Sequence, residues 1–116
     1  MSPVGDECVF CRIVAGEIPA EIVLADDDVV AFRDLDPQAP LHVLVVPRRH
    51  VPDAAALAAQ APATVAALVS AAHRVATEAG HDSHRLVLNT GADAGQTVFH
   101  AHLHVLAGRS LTWPPG

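Results

Sequence analysis

Apolar and polar residues change their period several times along the chain, and each change marks an element. In FCRIVAGEI, residues Phe10, Ile13, Val14 and Ile18 fall at helix-like intervals, which predicts one short helix ended by Pro19. Residues 21–25 and 28–33 are two β-branched runs joined by Asp26-Asp27-Asp28, the pattern of a hairpin. DPQAP is a loop by its two prolines. LHVLVV, residues 41–46, reads as a nearly continuous apolar strand that Pro47 stops. From Ala54 to Ala79 almost every residue is an adequate helix former; Pro62 divides a short helix from a long one, and Gly80 is placed to cap it. Leu68, Ala72, Val75 and Ala79 are the expected buried stripe of the long helix. HRLVLNT predicts a fourth strand, GADAGQ a glycine-containing loop and TVFHAHLHVLAG a fifth strand.

This order contains no repeated βαβ unit, so an α+β fold is expected, an antiparallel sheet with helices packed on one side. No repeat, linker or low-complexity tract beyond alanine richness divides the 116 residues, and a chain of this size buries roughly two thirds of its unfolded surface in one core. Although 51% of the residues are hydrophobic, no apolar run reaches the roughly 18–20 residues of a membrane helix. MSPVGDECVF lacks the basic-then-apolar order of an export signal, so a cytoplasmic protein with no membrane partner is expected. A formal charge of −6 with only seven Lys and Arg argues against nucleic acid. A small anion remains compatible where main-chain N–H groups and imidazoles supply the local positive potential.

The candidate chemistry lies in FHAHLHV, where His100, His102 and His104 alternate with apolar residues. On a helix the middle imidazole would face away from the other two; on a strand all three share one face, with Ala101, Leu103 and Val105 turned to the core. Solvent-facing histidines on an edge strand are the plain reading, disfavoured because no Thr, Lys or Glu accompanies them. A single metal ion is a poor fit, since the outer pair lies roughly 13 Å apart at about 3.3 Å per residue. Nucleophilic catalysis on phosphorus suits the pattern better: a neutral imidazole with its second nitrogen held protonated attacks, and its neighbours donate to phosphoryl oxygens. Gly91 and Gly95 in the upstream loop allow main-chain N–H groups close to an anion. The Cys8–Cys11 pair has three readings: half of a zinc site, two small buried hydrophobes or, least favoured because no strand precedes it, a redox dithiol.

NTGADAGQTVFHAHLHVLAGR, together with FCRIVAGEIPAEIV, DDDVVAFRDLDPQAPLHVLVVPRRH and the ending WPPG, resembles the nucleotide-binding (Hint) branch of the histidine triad family over nearly the whole chain. The resemblance implies one domain over residues 1–116 with a flexible segment 1–7. Its fold is a five-stranded antiparallel sheet carrying a short N-terminal helix and a long helix, dimerising into a continuous sheet. Residues 109–116, with Trp113, are implied to reach the partner subunit's active site. The implied nucleophile is His102, attacking the α-phosphorus of a purine nucleoside 5′-phosphoramidate or aminoacyl adenylate; His104 bonds the phosphoryl group and His42 orients the catalytic imidazole. His100 supports that imidazole through its main-chain carbonyl, and Thr97 keeps the hydroxyl of the serine common in the branch.

By the same resemblance, Asn89, Gly95, Gln96, Thr97 and Val98 match the phosphate-contacting segment, and Asp34 matches the ribose-binding carboxylate. Phe10, Ile13, Ile18, Phe32 and Leu35 match the base pocket. Cys8, Cys11, His50 and His100 match a structural zinc site, with no metal needed at the chemical step. His73, His81 and His84 match no family position and are expected to face solvent. Two alternatives stay open: a dinucleoside polyphosphate hydrolase, disfavoured by the WPPG tail and by the AGR after the triad, and a nucleotide-binding regulatory module whose hydrolysis is incidental.

Overall fold

A computed structural model describes residues 8–116; the expected flexible segment 1–7 lies outside the described residues. Its elements are α1 (Val9–Val14), β1 (Ile22–Ala25), β2 (Val29–Arg33), β3 (Leu41–Pro47), α2 (Ala54–Gln60), α3 (Pro62–Glu78), β4 (Arg85–Val87) and β5 (Leu103–Ala107). A short 3₁₀ turn spans Ala92–Ala94. The strands form one antiparallel sheet, as the sequence predicts, in the order β1-β2-β3-β5-β4.

The expectation that the helices share one side is wrong. α2 and α3 cover one face, where Leu57, Leu68, Ala72 and Val75 pack on Ala31, Val43, Val45, Leu103 and Val105. α1 covers part of the other, where Cys8 and Phe10 pack on Val30, Phe32, Leu44 and Val46. Cover on both faces explains why β3 is buried at all seven positions and reads as unbroken apolar sequence rather than alternation. Leu57 is 0% exposed. Leu57→Ala is expected to lower the unfolding free energy by about 3 kcal/mol, the usual cost of emptying a buried leucine site, measured by urea denaturation.

Boundaries differ from the expected ones for identifiable reasons. α1 stops at Val14 instead of running to residue 18, because the N–H of Gly16 turns to the Ile13 carbonyl and that of Glu17 to the Arg12 carbonyl, closing the helix. Gly80 closes α3 in the same way at φ 88, with its N–H on Thr77 and that of His81 on Ala76. Ala79 is exposed and not part of the stripe, which is Leu68, Ala71, Ala72, Val75 and Ala76. Of the three histidines expected to face solvent only His73 does: His81 and His84 are half-buried, and the His84 ring lies 5.8 Å from that of His73.

The largest difference concerns the triad. β5 begins at Leu103, not at residue 97, so only His104 sits on a strand. The pairing with β3 runs from Leu41↔Ala107 to Val45↔Leu103. Continued past Val46 and His102, the register would set Ala101 against Pro47, which has no N–H and whose carbonyl already takes a bond from the His100 ring at 2.8 Å. The N–H of Ala101 goes instead to the Val51 carbonyl at 2.8 Å. Alternation nevertheless survives: the imidazoles stay on the α1 side, with Phe10 5.9 Å from His100 and 5.0 Å from His102, and His102 5.1 Å from His104.

Candidate active site and metal cluster

His42 on β3 and His104 on β5 are brought together by the strand pairing, with His42 Nε2 at 2.9 Å from His104 Nδ1. Neighbouring partners fix the protons. Gln38 N–H donates to His42 Nδ1 at 3.0 Å, so a neutral His42 carries its hydrogen on Nε2 and donates to His104. His104 then accepts at Nδ1 and carries its hydrogen on Nε2. His102 donates from Nδ1 to the His100 carbonyl at 2.8 Å, which leaves a lone pair on its Nε2. The site therefore holds a nucleophilic nitrogen next to a nitrogen that donates.

Burial keeps these rings neutral. It lowers the pKa of His102 against the opposing pull of the His100 carbonyl and Asp34. It lowers that of His42 against Asp34 and Asp36. His104 is pushed down to about 4, by burial first and then by His102 and His42. Because His42 and His104 resist protonation when folded, the unfolded chain binds more protons below its ordinary histidine pKa of 6.5. Stability is expected to be level above pH 7 and to fall as pH drops from about 6.5 towards 4, measured by denaturation midpoints across that range.

Beside the imidazoles opens a cavity of about 280 Å³. All five expected base-pocket residues line it (Phe10, Ile13, Ile18, Phe32 and the 100%-exposed Leu35), as does Asp34. The Asp34 carboxylate stands 3.5 Å from His42 Nε2 and accepts the Asp36 N–H at 2.8 Å. Leu44, Val9, Pro19, Ala20 and Arg33 complete the wall; of these only Leu44 left a signal, two residues from His42 on the same strand face.

The upstream segment is arranged differently from what the resemblance implies for one residue. Gln96 is 3% exposed, and its amide is consumed within the chain: Nε2 donates to the carbonyls of Pro52 at 2.6 Å and Val98 at 3.1 Å, and Oε1 accepts the Gly91 N–H at 2.9 Å. The Gln96 side chain shapes the loop and has little left for a ligand. Gly95 adopts a left-handed φ of 100 at the end of the 3₁₀ turn, with the Asn89 amide next to it. Thr97 is exposed and Val98 packs on the α1-side core. Trp113 is 83% exposed at the end of the chain, joined to the body through Arg85, which donates to the Thr112 carbonyl.

Cys8, Cys11, His50 and His100 converge, each offering one donor atom, all within 4.8 Å of one another. The donor–donor distances are 3.5 Å from His100 Nδ1 to either sulfur, and 3.2 Å from His50 Nδ1 to both Cys11 Sγ and His100 Nδ1. A tetrahedral ion with bonds of about 2.3 Å to sulfur and about 2.05 Å to nitrogen needs edges of roughly 3.3–3.8 Å, so the donors fit zinc. His100 is also correctly oriented, since its Nε2–H donates to the Pro47 carbonyl and frees Nδ1. Cys8 Sγ accepts the Cys11 N–H at the start of α1, which fixes the position of the sulfur.

Asp34, His42 and His104 form a second convergent group, and it fails the same test. Nδ1 of His42 faces a donor, the Gln38 N–H, so its Nε2 holds a proton where a metal would need a lone pair. This group is a hydrogen-bond relay. Of the main-chain partners that orient the rings, the His100 C=O was implied by the resemblance, whereas the Gln38 N–H and the Pro47 C=O were invisible in the sequence because every residue carries such groups.

Known proteins share this arrangement. A model of the HIT domain matches residues 15–111. The purine nucleoside phosphoramidase of Escherichia coli (strain K12) is 39% identical over 108 residues, covering 91% of each chain. A HIT family hydrolase from Legionella pneumophila Philadelphia 1 superposes with a TM-score of 0.89 at 41% identity, over 94% of this chain and 99% of that one. A zinc-bound histidine triad family protein from Mycobacterium smegmatis superposes with a TM-score of 0.78 at 36% identity, over 88% of this chain and 75% of that one. A match that spans the sheet, the glycine loop and all three imidazoles makes this chain a member of the histidine triad (HIT) domain family.

Proposed function

We propose that the protein is a cytoplasmic, homodimeric HIT hydrolase that cleaves the P–N bond of purine nucleoside 5′-phosphoramidates or the acyl-phosphate link of aminoacyl adenylates, releasing AMP or GMP. The observation that carries the reading is the bond from His102 Nδ1 to the His100 carbonyl, which turns the Nε2 lone pair outward. His102 Nε2 attacks the α-phosphorus; the phosphorus–nitrogen bond breaks and the amine leaves with a proton taken up from solution, or, in an aminoacyl adenylate, the phosphorus–oxygen bond breaks and the carboxylate leaves. Water then attacks the nucleotidyl-histidine, restoring the imidazole and returning a proton to solution.

Each neighbour has a task in this scheme. His104 donates from Nε2 to the phosphoryl group, where negative charge grows, and His42 holds it in that tautomer. The apolar cavity takes the base, Asp34 the ribose hydroxyls, and the Asn89, Gly95, Thr97 and Val98 segment the phosphate. The exposed Trp113 tail would cover the site of a second subunit, where an isolated chain leaves an indole in water. Zinc held by Cys8, Cys11, His50 and His100 would fasten α1 to the triad segment, and it supplies rigidity, not reaction chemistry.

Steady-state turnover of adenosine 5′-phosphoramidate by the purified wild type tests this reading, with a kcat in the ordinary enzymatic range of roughly 1 s⁻¹ or more expected. Nucleotide binding without turnover would favour the regulatory-module alternative.

A further inference from the structure

We propose that Arg109 is a positioning residue: it pins the loop whose main-chain N–H fixes the proton of His42, and so sets the direction of the His42–His104 hydrogen bond. The catalytic consequence rests on the hydrolytic reading above; the effect on the protons does not.

Residues 34–40 connect β2 to β3, and within them Gln38 donates its N–H to His42 Nδ1 at 3.0 Å. Asp36, Pro37 and Gln38 are exposed, and the bonds within the loop, Gln38 Nε2 to the Asp36 carbonyl and Asp36 N–H to Asp34, tie it only to itself. The anchor from outside comes from the chain just after β5. Arg109 Nε donates to the Gln38 carbonyl at 2.9 Å, and its Nη1 donates to the Ser110 carbonyl at 3.0 Å, which holds the guanidinium in place. Gly108, at φ 99, permits the close approach: a Cβ there would lie 2.9 Å from Pro40 Cβ. Two consecutive residues behind the triad strand are thus fitted to the same loop.

The consequence is electrostatic. With Gln38 N–H on its Nδ1, His42 holds its proton on Nε2 and donates to His104, whose own proton stays on Nε2. Released from Gln38, His42 is free to take the Nδ1–H tautomer. Its Nε2 then accepts, His104 must donate from Nδ1, and His104 Nε2 presents a lone pair. A lone pair repels a phosphoryl oxygen where an N–H attracts it. The surface guanidinium acts with the Asp34 carboxylate, 3.5 Å from His42 Nε2, to decide which of the two the site offers.

Long-range ¹H–¹⁵N correlation spectra of the full chain at pH 7.5 read both tautomers with no substrate present. The wild type is expected to show His42 as Nε2–H, and Arg109→Ala a mixed or inverted tautomer. In the same variant, kcat for adenosine 5′-phosphoramidate is expected to fall about tenfold, short of the roughly 100-fold or greater cost of deleting a transition-state donor. Arg109→Lys, which keeps one donor for the Gln38 carbonyl, should restore most of both readouts. Gly108→Ala, which displaces the loop with Arg109 intact, should reproduce the inversion. A His42 signal that stays wholly Nε2–H in Arg109→Ala overturns the proposal whatever the activity. Inverted tautomers in a protein whose wild type turns over no phosphoramidate would leave the positioning role standing and remove the hydrolytic reading instead.

Discussion

His102→Ala is expected to fold and to lose nucleotidyl transfer, with kcat reduced by about 10⁴-fold or more, because no other described group offers a correctly oriented nucleophile. The neighbouring imidazoles cannot substitute. His100 Nε2 is bonded to Pro47 and its Nδ1 faces the sulfurs, while His104 presents a donor, not a lone pair. Rapid quenching of the wild type with a phosphoramidate, followed by intact-mass measurement, should show one nucleotidyl group on His102, and none in the variant. His104→Ala should behave differently, losing about 10²–10³-fold in kcat while still forming the adduct, since it removes a charge-stabilising donor and leaves the bond-forming nitrogen in place. Parental turnover in His102→Ala would refute covalent catalysis at this position.

Side-chain chemistry was legible in the sequence to a large extent, and main-chain chemistry only at the His100 carbonyl, through the family resemblance. Alternation at 100, 102 and 104 was sufficient to place three imidazoles on one face, and it held even where the strand did not. The strand was overextended because β propensity at Thr97, Val98 and Phe99 says nothing about the partner, and before reaching them the ladder would have to pair Ala101 with Pro47, which is unable to continue it. α1 was put on the wrong face for a related reason: a six-residue helix shows one apolar stripe but not which side of a sheet will receive it. Gln96 illustrates the limit of motif matching. A glutamine between a glycine loop and a triad resembles a phosphate ligand, yet its three bonds to main-chain groups make it a brace. The cavity brings together all five residues the resemblance implied, Phe10 and Ile13 from α1 and Phe32 from β2, with Ile18 and Leu35 from the loops that follow those elements.

Zinc is expected at one equivalent per chain, and its loss should cost the protein more than the Leu57→Ala truncation. His50 Nδ1 and His100 Nδ1 stand 3.2 Å apart, and both lie against cysteine sulfur. Four such donors at the edge lengths of a tetrahedral site can share one cation. Binding to the folded state alone stabilises by mass action, about 4 kcal/mol when free zinc exceeds its dissociation constant 1,000-fold. At roughly 4 °C per kcal/mol for a domain of this size, stripping the ion should lower the melting temperature by about 15 °C. Cys8→Ser should show the same loss without chelator, because Cys8 both ligates and caps α1. The effect should reach the active site as well: His100 contributes its ring to the metal cluster and its carbonyl to His102, so a loosened ring lets the nucleophile's proton acceptor drift. Metal analysis and thermal melts of untagged protein decide the matter. Less than half an equivalent of zinc, together with a melting temperature indifferent to chelator, would mean that the four donors pack as reduced thiols and neutral imidazoles, and that His100 is held by Pro47 alone.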